Sequence, residues 1–307
     1  MTTTNMKQYK DLLPGEVLDL KEEIVLVDPK DTPLVSMLYA KNRVVPVSDI
    51  TVSWRERQLN PTRSEIKKEG SEASAPLKST RKMYSNICQI MERATSVSGT
   101  LQALNPYGIG NEYARELEDR LLELKRDMEY YFLNGVKATE TEHVGRQMNG
   151  LLNLVSADNT IDATTTGLTL DVLVDGMEKM WERGAHSDVY VFVNASEKRV
   201  INKFCQANNI TINSQVLDNK LGFKVDTIET DYGTAHIVLD RHIPKGTVLG
   251  IDLDLVEVGE LRSTFHEVLA KTGDYTKGHI LVENTIKLLN QYAGFKIINI
   301  EKFGAEE

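Results

Sequence analysis

The clearest pattern of apolar positions runs from residue 111 to residue 134. Apolar side chains recur there at steps of three and four residues, which predicts an amphipathic helix. Asn111 is its predicted N-cap, and Gly135 is predicted to end it as the residue after the last turn. At ~1.5 Å per residue the helix is a rod of about 30–35 Å, which is long for a globular domain. We call it the spine helix.

Residues 46–100 change to the two-residue alternation of β-strands. Ile50, Val52 and Trp54 alternate with polar residues, and a second run of strand character covers residues 83–100. Residues 60–82 between the two runs carry almost no large apolar side chain. Because a compact domain rarely contains so long a loop without a function, the pattern predicts a long two-stranded hairpin that projects from the body. We call it the extended hairpin.

The N-terminal residues 1–45 form a predicted arm. They show no clear period beyond a short helix predicted over residues 16–25, so the arm must lie on another surface. Its first ten residues lack the apolar core of a signal peptide, and no apolar run in the chain reaches the ~18–20 residues of a membrane helix. The sequence therefore predicts a protein that is made and folded in a cytoplasm, with no membrane partner.

Residues 155–259 predict a separate α+β lobe. A helix is predicted over residues 168–182, with Thr169 as its cap, and a continuous apolar run over residues 189–194 predicts a buried strand. Short strands separated by turns follow. The chain ends in one or two long strands predicted over residues 279–303, and the fold class is α+β.

Composition and charge exclude several classes of protein. The 307 residues are 41% hydrophobic and 26% charged, which is typical of a globular chain with one large domain or two. Cys88 and Cys205 lack a Cys-x-x-Cys spacing, so we expect two buried, reduced thiols. A net charge of −9 argues against sequence-independent nucleic-acid binding, which needs a basic surface, although it permits a protein that only encloses nucleic acid.

The charges are segregated along the chain. Residues 54–82 carry eight basic and four acidic side chains. Residues 112–129 carry four basic and seven acidic side chains, and residues 16–31 carry two basic and six acidic side chains. One interpretation is a set of solvated surfaces on which each charge contributes little. The interpretation we favour is a basic hairpin that docks on the acidic arm and spine of a neighbouring copy, because a projecting hairpin and an arm need neighbours to cover them. The predicted contact residues are Trp54, Arg55, Arg57, Lys67, Lys68, Arg81 and Lys82 in the hairpin and Glu112, Glu116, Glu118, Asp119 and Glu123 in the spine helix.

Local motifs give little support to catalysis. Gly108 and Gly110 precede a helix, but Tyr113 stands where a dinucleotide-binding fingerprint needs its third glycine. The better interpretation is that the two glycines keep the helix from extending towards the N-terminus. Ser64-x-x-Lys67 and residues 271–273 (KTG) imitate two parts of a serine β-lactamase set, without its Ser-Asp-Asn element. The six histidines show no His-Glu-x-x-His spacing. The sequence predicts no enzyme, no cofactor and no metal site.

A series of short segments in order resembles a known family. The segments are VDPKDTPL (residues 27–34), Ser53-Trp54, KKEG (residues 67–70), NICQI (residues 86–90), VSGT (residues 97–100), Gly110-x-Glu112, Leu124-Lys125-x-Asp127-x-Glu129 with Gly135, and Arg146-x-x-x-Gly150-Leu151. In this order they resemble the major head proteins of tailed bacteriophages, of the family that begins directly with the arm and lacks a fused scaffolding domain. The resemblance is densest over residues 24–155.

The resemblance implies the Hong Kong 97-type capsid fold. Its parts would be an N-terminal arm (1–45), an extended loop (46–100), a peripheral domain (101–154 and 260–307) that contains the spine helix (111–134), and an axial domain (155–259). Covalent cross-links in the prototype of this fold join a loop lysine to an asparagine of a neighbour. Lys67 and Lys68 lie in the loop, but no partner asparagine or catalytic carboxylate is identified, so the sequence does not predict a cross-link.

The resemblance also implies a function. A major capsid protein assembles with itself as pentamers and hexamers into an icosahedral head, which encloses double-stranded DNA without binding it specifically. Scaffold, portal and decoration proteins would be further partners, and the protein would be assembled in the bacterial cytoplasm and located in the virion. Three alternatives stay open: an encapsulin-like cargo shell of the same fold, a ring-forming tail protein without a spine helix, and a hydrolase whose site the motifs do not reveal.

Overall fold

Two β-sheets and a projecting hairpin organise the chain, whose computed structural model describes residues 31–104, 111–184, 188–207 and 227–300. The helices are α1 (Pro33–Ala40), α2 (Gly99–Ala103), α3 (Glu112–Asn134), α4 (Leu151–Leu154), α5 (Leu170–Glu182) and α6 (Ala195–Ala207). The strands are β1 (Val44–Pro46), β2 (Thr51–Gln58), β3 (Thr80–Ile87), β4 (Gln89–Ser98), β5 (Thr160–Asp162), β6 (Val189–Val193), β7 (Thr227–Thr230), β8 (Gly233–Leu239), β9 (Val248–Ile251), β10 (Val256–Val268), β11 (Tyr275–Leu288) and β12 (Gly294–Ile298). No helix in these ranges is long and apolar enough to cross a lipid bilayer.

The predicted spine helix is α3. Asn111 caps it as expected, because its Oδ1 accepts a hydrogen bond from the N–H of Ala114 at 3.2 Å. Gly135 follows the last turn, but its φ of −50° is not the left-handed conformation of a typical glycine cap. A Cβ at Gly135 would lie 2.6 Å from the carbonyl oxygen of Met148, so the glycine is needed for the close approach of two backbone segments.

A four-stranded sheet, ordered β1-β10-β11-β4, carries the spine helix on one face. The strand β1 runs parallel to β10, and the other pairs are antiparallel. The described end of the arm, α1, packs on α3 and β10, and its Leu34 and Leu38 are fully buried. Residues 31–40 therefore belong to the core of their own subunit, while residues 1–30, with the helix predicted over residues 16–25, lie outside the described residues.

The extended hairpin is confirmed as a pair of strands in the half that adjoins the body of the subunit. Strands β2 and β3 pair antiparallel from Thr51↔Ile87 to Gln58↔Thr80, and residues 59–79 have no strand pairing. The second strand of the hairpin was predicted to continue to residue 100, but it is interrupted at Cys88. The residues that follow form β4, which pairs with β11. The alternating burial of β4 explains the strand prediction, but alternation alone does not identify the partner strand.

A six-stranded sheet, ordered β5-β12-β9-β6-β8-β7, forms the second half of the body. The predicted buried strand is β6, and the predicted helix is α5, which begins at its cap Thr169. The strand β12 falls within residues 260–307, which the resemblance assigned to the peripheral domain. It pairs with β9 and β5 in this sheet instead, where Phe295 and Ile297 are fully buried. One continuous hydrophobic core joins the two sheets.

Candidate intersubunit surface

The outward side of the hairpin forms a basic surface. Because side chains alternate along a strand, Arg55 and Arg57 of β2 share one face with Arg81 and Met83 of β3. All four are exposed, and Met83 keeps 68% of its accessible surface. Arg57 lies directly opposite Arg81, an arrangement of like charges that weakens strand pairing. Within the described ranges these arginines form no ion pair. We call this set the outer hairpin face.

The other side of the hairpin faces its own subunit. Trp54 lies there half-buried, with its ring stacked on Tyr84 at a centroid distance of 6.5 Å, and Lys82 lies on the same side. The carboxylate of Glu56 accepts a hydrogen bond from the backbone N–H of Gln291 at 2.7 Å. Burial raises the pKa of Glu56, although this hydrogen bond opposes the shift. Trp54, predicted to contact a neighbour, therefore contacts its own hairpin.

The loop between β2 and β3 exposes both lysines and several apolar side chains. Lys67 donates a hydrogen bond from Nζ to the carbonyl oxygen of Glu72 at 3.0 Å, and Lys68 is also exposed. Ile66 is fully exposed, and Leu59 keeps 77% of its accessible surface. Large apolar side chains concentrated on one projecting segment are typical of a surface that binds another chain.

The five predicted acidic contacts on the spine helix differ in their surroundings. Glu116 and Glu123 both pair with Arg120 of the same helix, at 3.1 Å and 2.5 Å. Glu118 is exposed and Asp119 is half-exposed, and neither pairs with a cation among the described residues. The fifth predicted residue, Glu112, lies in the first turn with its Oε2 buried. No ion pair in the described ranges joins the hairpin to these carboxylates within one subunit, so Glu118 and Asp119 are the most accessible of the predicted acidic contacts.

Asn86, which the sequence reasoning did not single out, fastens the base of the hairpin. Its side chain is fully buried, and its Nδ2 donates to the carbonyl oxygens of Ile286 at 2.7 Å and Asn149 at 2.9 Å. Its Oδ1 accepts from the N–H of Asn149 at 2.8 Å and of Ile87 at 2.9 Å. One side chain thus joins the hairpin, the four-stranded sheet and the segment after the spine helix.

Arg146 also fastens the base of the hairpin, at the end of its second strand. Its Nε donates to the carbonyl oxygen of Cys88, where the hairpin ends, at 2.7 Å. Its guanidinium also pairs with Glu140 at 3.0 Å and with the buried carboxylate of Glu283, which in turn pairs with Arg262 at 2.6 Å. Arg146 stood in the resembling segments without a role, and the structure shows that it ties the end of the hairpin at Cys88 to Glu283 of β11.

Replacing Asn86 by alanine is expected to lower the free energy of unfolding by about 2–4 kcal/mol, because buried backbone groups at Asn149 and Ile286 lose their partners. Urea unfolding measures the loss, and hydrogen exchange is expected to accelerate at the amides of β2 and β3. Asn60→Ala is the matched control, since Asn60 is exposed and its Oδ1 accepts a local hydrogen bond from the N–H of Thr62. Unchanged exchange in the hairpin of Asn86→Ala would show that Asn86 does not fasten it.

A buried carboxyl pair, to which the sequence patterns assigned no role, joins the arm to the spine. Glu129 is fully buried, and its two carboxyl oxygens accept the N–H groups of Leu34 and Val35 at the start of α1, each at 2.7 Å. Burial, followed by repulsion from Asp240, raises the pKa of Glu129 to about 9. Asp240 is 1% exposed, and its Oδ1 accepts from the N–H of His242 at 2.8 Å. Glu129 therefore holds a proton at neutral pH.

The described ranges bring together no three His, Cys, Asp or Glu side chains that could hold a metal ion. The expectation for the cysteines is confirmed, because Cys88 and Cys205 are both buried and unpaired. Burial raises the pKa of the Cys88 thiol to about 11, so it is a poor nucleophile at neutral pH.

Comparisons with known proteins identify the fold. A chain of the cyanophage A-1(L) capsid is 11% identical, with a TM-score of 0.68 and coverage of 95% of this chain and 98% of that one. A chain of the holo-SrpI encapsulin complex from Synechococcus elongatus is 10% identical, with a TM-score of 0.59 and coverage of 93% and 95%. Identities this low show a shared fold alone, and it is the Hong Kong 97-type fold predicted from the resemblance.

Sequence comparison identifies the family. The curated major capsid protein of Escherichia phage Phieco32 is 23% identical over 333 aligned positions, which cover 91% of this chain and 93% of that protein. The sequence profile of the family described as SU10 major capsid protein matches residues 1–301. A match over nearly the whole chain confirms the resemblance noted in the short segments, and the chain belongs to the SU10 major capsid protein family.

Proposed function

We propose that copies of this major capsid protein assemble as pentamers and hexamers into the icosahedral head of a tailed phage, which encloses double-stranded DNA without binding it specifically. The observation that carries the proposal is the hairpin, which exposes apolar side chains and arginines that form no ion pair with any residue the structure describes. A monomer would gain nothing from exposing them. A neighbouring copy that covers them would gain both apolar burial and ion pairs.

The contact we propose places the outer hairpin face on the spine helix of the next subunit. Arg55, Arg57 and Arg81 would meet Glu118 and Asp119, which lack partners among the described residues. Each exposed ion pair contributes only about 0.2–1 kcal/mol. Assembly would therefore depend on many weak contacts repeated in every subunit, with Met83 and the exposed loop residues supplying apolar area at each one.

We propose domain assignments that follow the sheets. The four-stranded sheet and spine helix would form the peripheral domain, and the six-stranded sheet, with β12, would form the axial domain. The extended loop would end near Cys88. We infer a structural and not a catalytic role, with scaffold, portal and decoration proteins as further partners and assembly in the host cytoplasm before residence in the virion. The acidic net charge of −9 would limit adhesion of DNA to the inner wall.

Negative-stain electron microscopy of the purified protein, paired with light scattering at several protein and salt concentrations, tests the proposal. Closed shells or rings of five and six subunits are the expected result. A monomer or dimer under all conditions, also after co-expression with a scaffold protein, would contradict it. An encapsulin-like shell differs in its contents, because particles from an infected cell would then hold protein cargo in place of DNA.

Reversing charge on the outer hairpin face is expected to impair assembly and to leave the subunit folded. In Arg55→Glu/Arg57→Glu, the repulsion between Arg57 and Arg81 becomes an attraction, so the melting temperature of the unassembled subunit should stay equal or rise slightly. Light scattering should show slower and less complete assembly. Adding Glu118→Lys/Asp119→Lys in the same chain restores complementary charge and should recover much of the assembly. Assembly at the normal rate in the first variant would contradict the docking geometry.

A further inference from the structure

An apolar groove of about 270 Å³ opens between the described end of the arm and the spine helix. Its floor is aliphatic, and its charged margin is the single side chain of Lys125. Thr32, Val35 and Tyr39 line it on the side of α1, and Leu124, Lys125 and Met128 line it on the side of α3. Tyr39 lies at its margin and keeps 39% of its accessible surface. No function described above uses the groove.

The chain enters the described structure at this groove. Thr32, one of the lining residues, is the second described residue, and thirty residues precede the first one. Among them, residues 24–27 read Ile-Val-Leu-Val, an uninterrupted apolar run that has to be covered by some surface. Two glutamates, at positions 22 and 23, come directly before the run, with the sign opposite to that of Lys125.

We propose that residues 24–27 fold back on their own subunit and fill this groove. The connection is long enough, because five residue steps from Val27 to Thr32 reach about 17 Å at most. The groove follows α1 from Thr32 to Tyr39, which is about 10 Å along a helix. Asp28 and Pro29 lie in the connection, where a turn has to reverse the chain. The glutamates at positions 22 and 23 then lie near Lys125.

The proposal assigns the arm a role within the subunit, independent of assembly. Residues 24–27 cover the seam between α1 and α3, which is held from beneath by the hydrogen bonds of Glu129 to Leu34 and Val35. The apolar run is buried by this contact, and the groove loses its hydration. A subunit waiting to assemble would then carry no exposed apolar seam along its spine helix.

Disulfide trapping in the full-length, unassembled protein tests the proposal. Lys125→Cys is combined in turn with Ile24→Cys, Val25→Cys, Leu26→Cys and Val27→Cys, and each double variant is mildly oxidised and analysed by non-reducing electrophoresis and peptide mass mapping. Lys125 is exposed, which makes the substitution mild. We expect at least one pair to close within the chain in most molecules. The matched control replaces Lys125→Cys by Asp175→Cys on the exposed side of α5, where we expect no closure.

Two outcomes of the trapping experiment would overturn the proposal. Disulfides that form only between chains would show that the groove holds the arm of another copy, and the absence of any disulfide with Lys125→Cys would show that the run lies elsewhere. A second variant, Ile24→Ser/Leu26→Ser, should raise the fluorescence of an apolar dye several-fold, whereas Leu12→Ser/Leu13→Ser in the same arm should not. Equal dye binding by the two variants would likewise contradict it. Shell formation enters neither readout, so a failure here is distinct from a failure of the assembly proposal.

Discussion

Replacing Phe295 by alanine is expected to lower the free energy of unfolding by about 3–5 kcal/mol, the usual loss for a fully buried phenylalanine. The ring lies between two glycines. A Cβ built on Gly250 of β9 would lie 2.2 Å from Phe295 Cε1, and one built on Gly176 of α5 would lie 2.5 Å from Cδ2. Phe295 thus fills the space between α5 and the six-stranded sheet, and the truncated variant leaves a cavity there. Urea unfolding of the unassembled subunit measures the loss.

The two glycines provide the control for this prediction. Gly250→Ala and Gly176→Ala add a methyl group where the ring already lies, so each is expected to cost about 1–3 kcal/mol through overpacking. In Gly250→Ala/Phe295→Leu the smaller side chain makes room, and the double variant should be more stable than the sum of its single changes predicts. Strict additivity would show that the ring and the glycines do not share this space.

The local pattern of the sequence determined the elements near α3, α5 and β6 because each carries its own signal. The stripe and cap of the spine helix, the cap Thr169 and the continuous apolar run of β6 are all properties of neighbouring residues. The hairpin followed from alternation, and alternation also determines which side chains share a face. Arg55 and Arg57 therefore point together, as their spacing requires.

Pairings between distant segments were beyond the reach of local pattern. Both β4 and β12 were predicted as strands, yet their partners depend on where the chain turns at Cys88 and after β11, and no local residue pattern encodes that choice. The ion pairs inside the spine helix show the same limit. Arg120 binds both Glu116 and Glu123, so two predicted intersubunit contacts are already satisfied within the helix.

The role of Glu129 could not be recognised from the sequence, since an acidic residue in a charged helix is ordinarily solvated. Only the fold shows that it lies beneath α1 and next to Asp240. The consequence is a specific pH dependence. The folded chain keeps the proton of Glu129 up to a pKa of about 9, whereas an unfolded chain loses it near the ordinary value of 4.5. The contribution to stability is therefore complete below about pH 4.5 and is lost as the pH rises to about 9.

Glu129→Gln is expected to flatten the pH dependence of stability. In the native protein this one carboxyl should lower the free energy of unfolding by about 1.4 kcal/mol per pH unit between pH 5 and 9, whereas glutamine does not titrate. The glutamine Oε1 can accept only one of the two N–H groups, because Nε2 is a donor, so Glu129→Gln should also lose about 1–3 kcal/mol by an amount that does not depend on pH. Urea unfolding of both proteins across this range gives the comparison. Glu129→Ala should instead lose about 2–4 kcal/mol at every pH, because the N–H groups of Leu34 and Val35 lose their acceptors. Parallel pH profiles for the native protein and Glu129→Gln would mean that Glu129 is ionised in the folded subunit. The two N–H groups at the start of α1 would then stabilise its charge more strongly than burial and Asp240 destabilise it.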